Sequence, residues 1–307
     1  MAFTRIHHVG MVAGNLEEAR RVYCQGFGLA VDERRTPIEG RPGYYDNVTT
    51  IELPIGEMYI EVSRPNDPNT PAGRFLAERG GLGGLHYVSL ASNDLTDDVQ
   101  QLIKQGARIY QYPGMPEWDG KNAVFLEPET TKGLLLQVAP EDNYFAHPAF
   151  RGDGTFIGMG HVGLAARDVE ETRRFWGEFF GLEEDRRRER GNEERPRQTG
   201  GLGPQDPVHI VEFSLGGSVI EISHPTDTTS GTARYVAQRA TLGAAYHHIC
   251  PWAPDVHRAI ERARALGLQQ IGGVPPREVT TRVVAWFHPK SCVGCLMEIW
   301  NRPETEQ

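Results

Sequence analysis

The stretch "SVIEISHP", residues 218–225, has the two-residue period of a β-strand. Val219, Glu221 and Ser223 fall on one face of an extended chain, and Ile220 and Ile222 on the other. A carboxylate at the centre of such a strand either meets water or has partners elsewhere in the chain. Upstream, "HVGLAARDVEETRRFW", from His161, predicts a short apolar strand, a turn in which Asp168 can cap a helix, and a helix with apolar residues at helical spacing. "HHICPWAPDVHRAIERARALG" has the same plan: a strand from about His248, a cap at Asp255, and Val256, Ile260 and Ala263 on one helical face. Strand-rich segments follow both helices.

This plan recurs along the chain. "HVGMVAGNLEEARRVYCQGFGLAVDERR", from His8, aligns with "HVGLAARDVEETRRFWGEFFGLEEDRRR", from His161, at an offset of 153 with half the positions identical. "IELPIGEMYIEVSRP" aligns with "VEFSLGGSVIEISHP" at an offset of 160, so about seven residues enter between, most simply in the charged run "DRRRERGNEERPR" at 185–197. "GGLHYVSLASNDL" and "AAYHHICPWAPDV" match at 161, as do "FLEPETTKGLLLQV" and "FHPKSCVGCLMEI". The chain is a tandem duplication with halves at 1–150 and 151–307. Each half holds two βαβββ units, so the fold expected is α+β with four such units.

Composition narrows the function. In 307 residues, 39% hydrophobic and 24% charged content fits a water-soluble globular chain with ample core. A net charge of −9 argues against a nucleic-acid surface, and the one basic run is interleaved with Glu, as in a solvated loop. No apolar stretch reaches the ~20 residues of a membrane span, and the N-terminus has no apolar leader segment, so a cytoplasmic setting is expected. The expected partner is a small molecule, with a homodimer open, although tandem halves can already pair internally. Cys24, Cys250, Cys292 and Cys295 do not form a disulfide framework. "CVGC" at 292–295 has redox or zinc spacing but opens no helix and has no second copy, which favours an inert turn.

Four second-half positions then align by role. His161 and His248 lie in the first strands of successive units, and Glu221 and Glu298 in their last strands. If the units curl together, two His and two Glu converge into a site for one divalent Fe, Mn, Co, Ni or Zn, with room for water or substrate. A lone His on an apolar strand is more often a hydrogen-bonded core residue, but four at corresponding places are harder to dismiss. The matching first-half positions are His8, Glu61, Tyr87 and Gln137, which lack one His and one carboxylate. That half is expected to have lost its metal or to bind it weakly, and to serve by covering its partner or shaping the partner's cleft. His86, next to Tyr87, is expected on the opposite face.

These residues resemble the vicinal oxygen chelate superfamily, whose members build metal clefts from paired βαβββ units. The resemblance implies two tandem vicinal-oxygen-chelate domains, each pair of units curling into an open cleft. "AAYHHIC" and "FHPKSCVGCLMEI" look most like methylmalonyl-CoA epimerases. The His/Glu/His/Glu set also looks like bacterial glyoxalase I, and the four-unit length like type I extradiol dioxygenases, whose iron ligands match His161, His248 and Glu298. The resemblance implies that Glu221 and Glu298 are ligands and that one doubles as the base moving a proton beside a carbonyl. Epimerases carry a further Glu upstream. Here Gln205 and Asp206 stand near that place, and Asp206 or His209 could substitute. A dioxygenase would have to use His224 and His288, and Pro251 and Trp252 alter one pocket wall. Three functions follow: a metal-dependent isomerase or lyase, an Fe(II) ring-cleaving dioxygenase, or a non-catalytic binding protein.

Overall fold

A computed structural model describes residues 1, 3–142, 148–185, 206–278 and 283–301. Most of the Arg/Glu run at 185–197, and Gln205, lie outside the described residues.

Two seven-stranded sheets divide the chain. The first contains β1 (Phe3–Val12), β2 (Arg41–Pro42), β3 (Val48–Ile55), β4 (Met58–Pro65), β5 (Gly84–Ser92), β6 (Val124–Leu126) and β7 (Leu135–Pro140), in the order β2-β3-β4-β1-β5-β7-β6. The second contains β8 (Gly158–Ala166), β9 (Val208–Leu215), β10 (Ser218–Pro225), β11 (Ala244–Trp252), β12 (Gln270–Ile271), β13 (Val284–Phe287) and β14 (Leu296–Trp300), in the order β12-β13-β14-β11-β8-β10-β9. In each sheet the opening strands of two units lie antiparallel at the centre, and each pairs in parallel with its own unit's last strand. The four βαβββ units are therefore present. The strand after each helix is short: β2, β12, or a single bridge at Ile109↔Leu126 and Glu184↔Phe213.

Helix starts follow their capping residues. Asn15 Oδ1 accepts from the amides of Glu17 and Glu18 at the start of α1 (Leu16–Arg20). Thr70 caps α2 (Pro71–Glu78) and Asp94 caps α3 (Leu95–Lys104). Asp168 caps α4 (Val169–Arg173), Ser230 caps α5 (Gly231–Arg239), and Asp255 caps α6 (Val256–Ala265). α1 and α4 each run on into a π-helical turn, Arg21–Gly26 and Arg174–Phe179, which apolar periodicity did not predict. α6 buries Val256, Ala259, Ile260 and Ala263, the stripe expected for it.

One apolar core spans both halves. Phe27 meets Phe156 and Phe287, each at 5.6 Å between ring centroids. Tyr246 of β11 accepts the Val88 amide at 3.1 Å and donates to the Leu135 carbonyl at 2.8 Å, crossing to β5 and β7.

Candidate metal centre

Gly163 sits at the middle of the second sheet, facing Glu221 on one side and His248 on the other. His161 lies two residues earlier on β8, and Glu298 is brought in by β14 beyond β11. In a flat sheet, β14 and β10 would stand about 14 Å apart, three strand spacings. Instead, both of their carboxylates reach the same imidazole, so the sheet is strongly curled. Gly163 makes the approach possible: a Cβ there would lie 2.0 Å from the His248 ring. The "HVG" shared by both halves was the sequence signal for this, and Gly10 repeats it, with Tyr87 1.8 Å from its notional Cβ.

The four groups converge as the sequence pattern anticipated. His161 Nε2 lies 2.9 Å from His248 Nε2 and 2.9 Å from Glu298 Oε2, and His248 Nε2 is 3.3 Å from that oxygen. Glu221 Oε1 stands 3.8 Å from both imidazole nitrogens. All four side chains are buried, with the His at 2% exposure and Glu221 and Glu298 at 7% and 8%. Ligand atoms about 2.0–2.1 Å from one centre lie about 2.9 Å apart at right angles and about 3.4 Å apart in a tetrahedron. The edges among His161, His248 and Glu298 therefore match a shared divalent ion, and Glu221, at 3.8 Å from both imidazoles, stands slightly beyond them. Two neutral nitrogens and two carboxylate oxygens are also the donors that such an ion takes.

Burial pushes the Glu298 carboxyl up, but hydrogen bonds from His161 and His248 outweigh it and hold Glu298 far below the usual carboxylate range.

Neighbouring residues extend the site beyond the set read from the sequence. β11 carries a bulge: Gly163 faces His248 while Leu164 faces Tyr246, leaving His247 as the additional residue. His247 Nδ1 lies 3.1 Å from His248 Nδ1, and burial with His248 alongside pushes His247 down to about 3. Neutral at pH 7, it can accept the Nδ1 proton of His248 and leave Nε2 directed into the cluster. Trp286 of β13 packs edge-on against His248 at 5.0 Å. Glu212 of β9 faces Glu221 across the ladder and is buried, and the buried Cys250 groups with His161 and Glu298.

Other expected residues are placed elsewhere. His209 and His224 face one another across β9 and β10, three residues from Glu212 and Glu221, and so lie on the opposite sheet face. There, His224 Nε2 bonds Thr172 of α4 at 2.9 Å, and burial pushes it down to about 4. Asp206 Oδ2 accepts from the Thr232 amide and, at 2.8 Å, from its hydroxyl, at the start of α5. Asp46 does the same for Ala72 in the first half at 2.9 Å, so this is a repeated helix-start contact. His288 Nδ1 accepts from the Lys290 amide at 3.1 Å. Cys292 and Cys295 are buried with thiols pushed up to about 12 by burial, the inert state expected of "CVGC".

The first half has the same frame with different groups. His8 Nε2 bonds Tyr87 Oη at 2.9 Å, and Tyr87 donates to Glu61 Oε1 at 2.7 Å. Gln137 turns to Ser89 at 2.7 Å. Among the described residues, no group of three metal-type donors forms there. One expectation is corrected. His86 is the bulged residue between Gly10↔Tyr87 and Met11↔Leu85, and it lines the same cavity as Tyr87 instead of the opposite face. The half also holds an open cavity of about 230 Å³ lined by its own residues.

Curled sheets of paired βαβββ units around a buried His/Glu cluster define a tandem vicinal-oxygen-chelate protein. The chain belongs to the glyoxalase/bleomycin resistance protein/dioxygenase superfamily, whose sequence profiles match residues 5–138 and 160–284. It is 28% identical over 134 residues to the mitochondrial methylmalonyl-CoA epimerase of Dictyostelium discoideum, covering 44% of this chain and 76% of that one. With the ethylmalonyl-CoA/methylmalonyl-CoA epimerase of Cereibacter sphaeroides it shares 30% over 97 residues, 31% of this chain and 71% of that one. A variant of 4-hydroxymandelate synthase from Streptomyces coelicolor superposes with a TM-score of 0.64 at 14% identity, covering 98% of this chain and 93% of that one. A halotolerant catechol dioxygenase gives 0.57 at 12%, covering 98% and 87%. At these identities the structural likeness concerns the fold alone. No helix among the described residues is long and apolar enough to cross a membrane.

Proposed function

We propose that His161, Glu221, His248 and Glu298 hold one divalent cation per chain and that the second half is the active centre of a metal-dependent isomerase or lyase. Bound there, the cation would accept two neighbouring oxygens of a small substrate and stabilise negative charge developing on them. The observation that carries this reading is the fourth donor. Glu221 stands 3.8 Å from both imidazoles, so the set is two His with two carboxylates instead of the 2-His-1-carboxylate triad of iron oxygenases.

Glu298 is held by both imidazoles, whereas Glu221 stands further from them. Glu221 is therefore the carboxylate placed to take a proton from the carbon beside the substrate carbonyl and return it. The epimerase relatives support a thioester substrate of the acyl-CoA class, with hemithioacetals as the neighbouring class to screen.

Metal content per chain, followed by deuterium exchange into acyl-CoA substrates, tests the proposal. About one Co, Ni, Mn or Zn with exchange at the adjacent carbon, lost in Glu221→Gln, is the result expected. One Fe with oxygen consumption on catechols, and no exchange, would move the protein to the dioxygenases. Ligand affinity without turnover or metal would leave a binding protein.

A further inference from the structure

The cavity of the first half has the features of a ligand site. Of the four positions that hold metal-type donors in the second half, three form a hydrogen-bonded chain here from His8 through Tyr87 to Glu61, and Gln137 bonds Ser89. Having lost one His and one carboxylate, the half has not filled its cleft with side chains, as close packing would favour. About 230 Å³ remains open, room for roughly a dozen non-hydrogen atoms at ordinary packing.

The walls are aromatic. Phe125 meets Tyr45 at 5.2 Å, Tyr87 at 4.9 Å and Tyr112 at 5.2 Å, all near edge-to-face. Tyr59 also lines the cavity, with His8 stacked on its ring at 4.6 Å and the Arg35 guanidinium 4.9 Å from its centroid. The loop before β3 closes over the cleft, pinned where the Tyr45 hydroxyl donates to the Ala123 carbonyl at 2.7 Å. At the floor, Glu61 Oε1 accepts from Tyr87, while Glu61 Oε2 has no hydrogen-bond partner among the described residues.

Arg35 and Arg41 line the cavity, and both guanidiniums are bonded to the single buried Glu52 behind them. Asp142 is paired with Arg5 and His7, and Asp46 with the Ala72 amide. Among the described residues, Glu61 and Asp46 are thus the cavity-lining carboxylates with no cationic side chain bonded to them, and Asp46 is held by the backbone amides of Asn47 and Ala72. A carboxylate floor within tyrosine and phenylalanine walls attracts a positive charge by Coulomb and ring-quadrupole forces together.

From the geometry we infer that the first half is a metal-independent binding site for a small organic cation, an amine or quaternary ammonium group on a compact apolar body, seated between Tyr45, Tyr112 and Phe125 with its charge on Glu61. This site is independent of the metal centre in the other half.

Isothermal titration calorimetry with benzyltrimethylammonium and benzylamine, against benzyl alcohol and benzoate of similar size, tests it. The cations should bind at least about tenfold more tightly than either control, the span expected for a desolvated cation–π and ionic contact. Glu61→Gln, which keeps shape and hydrogen bonding, should lower cation affinity about tenfold or more, and Tyr112→Leu should do so independently. His248→Ala should leave cation binding unchanged, which assigns the heat to the first half. Equal affinity for cation and alcohol, tighter binding of benzoate, or no cation binding at millimolar concentration would overturn the inference, as would cation binding that survives Glu61→Gln in protein with native near-UV circular dichroism.

Discussion

At the scale of the residue, the site is decided by a few groups whose roles depend on exact atoms. His161, Glu221, His248 and Glu298 were legible because the repeat put them in corresponding strands. Gly163 and His247 were present in the quoted motifs but silent, since neither a missing Cβ nor one additional strand residue leaves a mark on hydrophobic periodicity. His248→Ala or Glu298→Ala should abolish metal retention, whereas changes at Tyr87 or Gln137 should spare it, measured as metal per chain after dialysis. Loss of metal in the first-half variants would show the active half to be wrongly assigned. His247→Phe gives a finer check. It keeps an aromatic ring against Tyr235 at the 4.8 Å packing distance but removes the Nδ1 acceptor for His248. Metal affinity should fall roughly 10- to 100-fold, as when an outer hydrogen-bond partner of a ligating His is removed, with the fold intact. Unchanged affinity in a chelator competition would mean that His248 needs no orienting partner.

At the scale of the element, capping residues and strand parity carry the account. The helix starts were readable from Asp168 and Asp255, because a short oxygen acceptor before an apolar stripe satisfies the first amides. Strand parity could have separated His209 and His224 from the cleft, since both stand an odd number of residues from the Glu that faces it. Asp206 was ambiguous from sequence alone: a carboxylate just before a strand can serve catalysis or structure equally well. Its contact with Thr232, repeated by Asp46 with Ala72, makes a direct expectation. Asp206→Ala should cost about 1 kcal/mol in urea unfolding, the usual cost of losing a helix-start acceptor, and leave metal content unchanged. No change in stability, with lost activity, would return Asp206 to the catalytic candidates. The π-helical turns after α1 and α4 recur in both halves, and nothing in the structure explains them.

At the scale of the whole molecule, the duplication was legible from offsets, but the continuity of the core was not, because contacts between halves leave no periodic signal. Tyr246 belongs to the second half yet satisfies Val88 and Leu135 in the first. Tyr246→Phe should cost about 1–3 kcal/mol through those two buried backbone groups, with one unfolding transition for both halves. The histidines make the whole fold sensitive to mild acid in a particular window. Burial holds His86 and His247 down to about 3 and His224 down to about 4, against about 6.5 in an unfolded chain. Below pH 6.5 the unfolded chain therefore takes up protons that the folded chain refuses. The stabilisation is complete above pH 6.5 and is lost as pH falls from there toward 4 and then 3, by up to about 1.4 kcal/mol per histidine per pH unit. Depressed carboxyls such as Glu298 have the same sign but begin to lose their contribution only near the unfolded carboxylate value, about 4.3. Urea midpoints of metal-free protein at pH 7.5, 6.5 and 5.5 separate the two. A fall already present between 6.5 and 5.5, reduced in His224→Gln, assigns acid sensitivity to the buried imidazoles. A flat profile down to about pH 4.5 would assign it to the carboxylates instead, and would mean that these histidines are more hydrated than their packing implies.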